Sequence, residues 1–154
     1  MTQKLHWALL CVLAVPSVGA TADEEVKNAA RVKWARGILA DFWDASRTGE
    51  CRQVEALISP ELARAFQKTE SNSIDFGFHT YLNTKQYDSY KVLSEVVDPD
   101  GVEVLFTGEV TGKNVKGDFK ARVVREAASG KWCIRMFTVK ERKDATKSEP
   151  AEPE

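Results

Sequence analysis

The stretch YKVLSEVVDPDGVEVLFTGEV, from Tyr90 to Val110, decides the fold. Apolar residues recur at every second position on both sides of Asp98-Pro99-Asp100-Gly101: Tyr90, Val92 and Val96 before it, Val104, Phe106 and Val110 after it. A period of two belongs to a strand with one face on a core, and Pro-Asp-Gly chemistry reverses the chain. The segment is therefore read as a β-hairpin. Thr111-Gly112-Lys113-Asn114 and Ser129-Gly130-Lys131 supply two further turns. Between and after them, Phe119, Ala121 and Val123 alternate with Lys120, Arg122 and Val124. Trp132, Ile134 and Met136 then alternate with Cys133, Arg135 and Phe137. Four strands joined by short turns predict an antiparallel meander.

Upstream the period changes to that of a helix. Val32, Ala35, Leu39 and Phe42, widened by Ile38 and Ala45, form one apolar stripe from Asp23 to about Ser46. Thr21 and Glu24 have the spacing of a capping box, and Gly49 is the stop. Cys51 to Ile58 reads as a short second helix. Ser59-Pro60-Glu61 opens a third, with Ser at the N-cap, Pro at the first helical position and an acid in the first turn. Thr69 to Gln86 is polar and aromatic, with no clear period. Helices first and a meander last predict an α+β domain, its helices gathered on one face of the sheet.

Strict alternation sorts the strands into two faces. Tyr90, Val92, Val96, Val104, Phe106, Val123, Ile134 and Met136 are expected to meet the long helix. The opposite face then carries Leu93, Val97, Leu105, Val124, Phe137 and Val139, too many apolar residues for a fully wet surface. Either the short helices or a second copy of the chain is expected to cover it, so a weak homodimer is one predicted partner arrangement.

The two ends read differently from the middle. Lys4 precedes the uncharged apolar run Trp7–Val15, Pro16 breaks it, and Val18-Gly19-Ala20 offers small or tolerated residues for cleavage. That order is the anatomy of a secretory signal peptide over residues 1–20. The run is about half of the roughly 18 apolar residues that a membrane span needs, so no membrane anchor is expected after processing. Leu9-Leu10 before Cys11 do not make a lipobox. The expected domain covers 21–141. From Lys140 onward charges and prolines replace any apolar period, and residues 142–154 are expected to form a disordered acidic tail. Export to the periplasm or the exterior would place Cys51 and Cys133, the thiols left beyond residue 20, where a disulfide is compatible with the compartment.

Composition narrows the function classes. The chain has 154 residues, 43% hydrophobic and 29% charged, enough for one good core. Its 22 Lys and Arg against 23 Asp and Glu give a net charge of −1, so nothing gathers a nucleic-acid backbone. Two His and three Cys leave little for a metal cage, and no metal or cofactor is expected. Gly108 to Lys113 lacks the spacing of a phosphate loop, and Asn114 stands where a Ser or Thr would hold magnesium.

Several segments resemble secreted members of the nuclear transport factor 2-like superfamily. Phe42-Trp43-Asp44-Ala45, Thr48-Gly49-Glu50 and Leu57-Ile58-Ser59-Pro60-Glu61-Leu62 resemble its opening. Ile74-Asp75-Phe76 and Gly130-Lys131-Trp132-Cys133-Ile134 resemble its later part. The resemblance covers about residues 24–141. It implies a long first helix and short helices packed on a curved four-stranded antiparallel meander, with a cone-shaped cavity between. It implies no single activity, because isomerases, dehydratases and protein-binding modules share the superfamily.

Three function classes remain in view. An acid–base enzyme of isomerase or dehydratase type would draw on Asp41 and Asp44 beside Trp43, and on Asp75, His79 and Tyr81 before the sheet. These residues match no catalytic motif, and a polar helix face explains Asp41 and Asp44 as well. A Cys51 or Cys133 nucleophile with His79 rests on residue presence alone. The favoured expectation is an exported, non-catalytic binding domain for a protein partner or a small apolar ligand. Its expected contact residues are Phe76, Phe78, His79 and Tyr81, with Trp43 and Asp41. An envelope-assembly or immunity-type role is the remaining alternative.

Overall fold

A computed structural model describes residues 21–69 and 76–142. Four helices, α1 (Ala22–Thr48), α2 (Cys51–Leu57), α3 (Pro60–Thr69) and α4 (Phe76–Thr84), precede four strands, β1 (Ser89–Val97), β2 (Glu103–Thr111), β3 (Lys116–Arg125) and β4 (Trp132–Glu141). The strands pair antiparallel in the order β1-β2-β3-β4, so the protein is α+β with a meander sheet. The expected leader at 1–20 and the tail beyond Arg142 lie outside the described residues. Lys140 and Glu141, where the apolar period fades, still belong to β4. Arg142 closes that end of the sheet by pairing with Asp118 and Glu109.

Local chemistry sets the element ends. α1 stops where Gly49 turns left-handed (φ 79°) and its N–H donates to the Ala45 carbonyl. Thr21 stands at the N-cap of α1, but its side chain makes no capping bond, so the expected capping box is absent and the Thr21 carbonyl takes the Glu24 N–H instead. Ser59 does cap α3, its Oγ accepting from the Leu62 N–H at 3.1 Å. Ile58 is not helical: it bridges Ile134 at the β4 edge, and the Ser59 N–H donates to the Ile134 carbonyl. In the first hairpin turn, Asp98 Oδ1 accepts from the N–H groups of Val102 and Glu103, both at 2.8 Å.

The core lies between α1 and one sheet face. Ala35, Leu39, Phe42 and Trp43 of α1 are buried together with Val104, Phe106, Val110, Phe119, Ala121, Val123 and Ile134. Cross-strand partners on this face match large to small: Val110 faces Gly117, Phe119 faces Gly108, and Phe106 faces Ala121. A Cβ at Gly108 would run into the Phe119 ring and the Lys91 carbonyl, so glycine here makes room for the aromatic. The Trp43 and Tyr90 rings (5.1 Å between centroids), Tyr90 and Phe119 (5.7 Å), and Phe42 and Phe137 (4.9 Å) extend the core toward β1 and β4.

Two bulges revise the expected faces. Register skips one residue at Leu93 in β1 and one at Arg135 in β4. Each skip turns every later side chain of its strand to the other face. Val97, expected outside, therefore packs on the core opposite Val104, and Val96, expected inside, is 56% exposed. In β4, Phe137 and Val139 likewise join the core. Val124 is buried as well, so the apolar patch that suggested a homodimer loses Val97, Val124, Phe137 and Val139.

Candidate functional site

The segment without a clear period is helix α4. Its buried face consists of Gly77, Thr80 and Thr84, which recur at helical spacing but are not apolar. Thr80 and Thr84 satisfy their hydroxyls on the carbonyls of Phe76 and Thr80, one turn back (2.8 and 2.9 Å). Gly77 packs directly on Cys51 of α2. This seating divides the expected contact residues between two sides. Phe76 and His79 line a cavity of about 230 Å³ with Phe66, Thr80, Asn83 and Phe137, and Phe66 lies within 5.3 Å of Phe76 and 5.2 Å of His79. Phe78 and Tyr81 pair with each other elsewhere on the helix (6.2 Å), where Lys85 stands over the Tyr81 ring.

Trp43 and Asp41 do not join them. Trp43 is 3% exposed and packs between Tyr90 and Phe137, so it is a core residue rather than a contact residue. Burial raises the Tyr90 phenol pKa, and the Asp44 carboxylate adds to the shift. Asp41 is exposed and lines a shallow groove with Asp44, Thr48, Glu50 and Gln53 between α1 and α2. Asp41 and His79 thus face different cavities, and Asp75 lies outside the described residues. Among the described residues no group of His, Cys, Asp and Glu is placed to hold a metal ion.

The expected disulfide is also absent. Cys51 and Cys133 are both free, the first half-buried against α4, the second buried in β4 opposite Val124. Burial first, and the Glu126 carboxylate second, push the Cys133 thiol up to about 11. A thiol so poorly ionised is a weak nucleophile at neutral pH.

A further, more apolar groove lies along the middle of α1. Ala30, Arg31, Trp34 and Ile38 on the helix face Arg125, Gly130, Lys131 and Trp132 at the β3–β4 hairpin across a groove of about 490 Å³. Trp34 is 69% exposed, and its indole makes no ring contact or hydrogen bond with a described residue. An exposed tryptophan beside a second one and an isoleucine is unusual on a surface. Strand alternation points Trp132 toward the helix side, and the α1 stripe has Ile38 at its edge. Sequence periodicity gives no reason for Trp34 and Trp132 to share a groove, since they lie on the first helix and the last strand.

Arg125 is fixed at the groove by its own hairpin, its Nε donating to the Gly130 carbonyl at 3.1 Å. Arg31 is tied to Glu24 and Asn28 through Nη1 (3.2 and 2.7 Å) and covers Gly101 of the first hairpin turn. Lys131 donates to the Ala56 carbonyl at 3.4 Å. No acid among the described residues lines the groove. Among the described residues no helix is long and apolar enough to cross a membrane. No family model matches the chain, and neither a curated protein nor a solved structure matches it.

Proposed function

We propose that the protein is an exported, non-catalytic binding domain that takes a small apolar ligand, built on a nuclear transport factor 2-like plan with a curved sheet around a cone-shaped cavity. The observation that carries the binding reading is the groove of about 490 Å³ between Trp34, Ile38 and Trp132. Its size falls in the range of small-ligand clefts, roughly 300–1,000 Å³. Its apolar lining includes a tryptophan that packing among the described residues does not explain. The plan is supported by the order of elements, helices before a four-stranded meander, and by α1 packing on the sheet. Export rests on the order of charged, apolar and small residues over 1–20.

An acid–base enzyme needs ionisable groups that converge within hydrogen-bond reach of one reacting atom. Asp41 and His79 lie on separate cavities, so the binding reading is preferred. The test is a panel of neutral bicyclic aromatics titrated against tryptophan emission. Saturable quenching that disappears in Trp34→Ala supports the reading. Titrations in which no compound gives a saturable change below millimolar concentration refute it.

A further inference from the structure

We infer that the groove between α1 and the β3–β4 hairpin selects a small aromatic carboxylate, with Arg125 as the anion-binding residue and Trp34 and Trp132 as the walls. This inference rests on the binding reading above and specifies its ligand class.

The charge around the groove is one-sided. Among the described residues its lining contains Arg31, Arg125 and Lys131 and no carboxylate. Arg31 is neutralised by Glu24, at 3.2 Å. Arg125 and Lys131 have no ion pair among the described residues, whereas Arg36, Arg122 and Arg135 each have one and Arg142 has two. Glu126, on the same hairpin as Arg125, accepts from the Ser129 hydroxyl at 3.0 Å instead. An anion entering the groove therefore meets positive charge that no acid among the described residues cancels.

The geometry at Arg125 favours a planar acid over a point charge. The bond from Nε to the Gly130 carbonyl fixes one edge of the guanidinium. Among the described residues Nη1 and Nη2 have no hydrogen-bond partner, so each can give one N–H to one of two carboxylate oxygens. Beside them, the indoles of Trp34 and Trp132 and the side chain of Ile38 offer an apolar surface on which a flat ring buries its faces. A ligand with an aromatic body and one carboxylate satisfies both halves. A neutral aromatic leaves Arg125 unanswered, and an aromatic cation is repelled.

The test compares three probes of the same shape on the purified chain: 2-naphthoate, 2-naphthylmethanol and 2-naphthylmethylammonium. Binding is read from the indole N–H signals of Trp34 and Trp132 in NMR spectra, with the buried Trp43 as internal control. The expected result is that 2-naphthoate moves the two groove signals and binds about tenfold or more tightly than the alcohol. A tenfold preference corresponds to one good charge-assisted contact. Arg125→Gln should weaken the acid and bring it to within about threefold of the alcohol. Equal affinities for the acid and the alcohol in the unmodified chain overturn the anion assignment but leave an apolar binding site standing. A preference for the acid that survives Arg125→Gln overturns the role of Arg125. If no probe moves the Trp34 and Trp132 signals, the binding reading itself falls.

Discussion

Gly77 of α4 rests on Cys51 of α2 so closely that a Cβ on the glycine would lie 2.6 Å from the Cys51 Cα and 2.8 Å from its carbonyl oxygen. These are backbone atoms, and they cannot rotate away. The contact joins the two short helices and sets the depth at which Thr80 and Thr84 are buried.

Gly77→Ala sets two effects against each other. Replacing a glycine inside a helix gains about 1 kcal/mol of helix propensity. Forcing a methyl group into a filled contact costs about 1–3 kcal/mol, at the upper end where the neighbour is backbone. The clash should win. A lower urea midpoint, with loss of native packing around α4, is the expected outcome. A variant as stable as the parent would show that α2 and α4 separate without cost.

The buried thiol makes stability depend on alkaline pH. Cys133 titrates at about 11 in the folded protein, above the ordinary thiol value, because burial disfavours its thiolate. The unfolded chain releases this proton first. The stabilisation is therefore complete below the ordinary thiol pKa and is lost as pH rises toward 11. Tyr87 and Tyr90 are raised by burial too and act in the same direction. The urea midpoint should fall between pH 8.5 and 10.5, and less steeply in Cys133→Ala. At pH 8, an alkylating reagent should modify Cys51 in the native protein and reach Cys133 only on unfolding. Intact mass without reductant should show no disulfide, and a mass lower by two hydrogens would contradict the free thiols.

What the sequence discloses depends on how local the governing physics is. Gly49, Ser59 and Asp98 act on groups within a few residues, and each ends or caps its element where the sequence places it. The apolar stripe of α1 is legible for the same reason. α4 was hidden because its buried face is glycine and threonine, chosen for close approach to α2 rather than for apolar area. The bulges at Leu93 and Arg135 were hidden because alternation looks regular on either side of each. Only the pairing with the neighbouring strand shows that one residue has been skipped. The groove at Trp34 depends on two elements far apart in the chain, and no periodicity connects them.

The bulge at Leu93 is testable with one conservative substitution made at two adjacent positions. With strict alternation Val96 belongs to the core and Val97 to the surface. The bulge exchanges them: Val97 packs opposite the fully buried Val104, and Val96 stands 56% exposed opposite Leu105. Threonine keeps the β-branch and most of the strand preference, so the substitution chiefly exchanges a methyl group for a hydroxyl. Val97→Thr places that hydroxyl against the core and should cost about 1–2 kcal/mol. Val96→Thr should stay within about 0.5 kcal/mol, as most surface changes do. Equilibrium urea unfolding of the two variants measures the difference, and the reverse order would mean that the strand runs unbulged. The same exchange bears on self-association. With Val97, Phe137 and Val139 on the core side and Val124 buried, the patch reduces to the exposed Leu93 and Val96 of β1 and the half-buried Leu105 opposite Val96, set beside Lys91 and Glu95. So small and charge-flanked a patch does not support a stable interface. The chain should therefore sediment as a monomer at high micromolar concentration, and Leu93→Asp should leave that sedimentation unchanged.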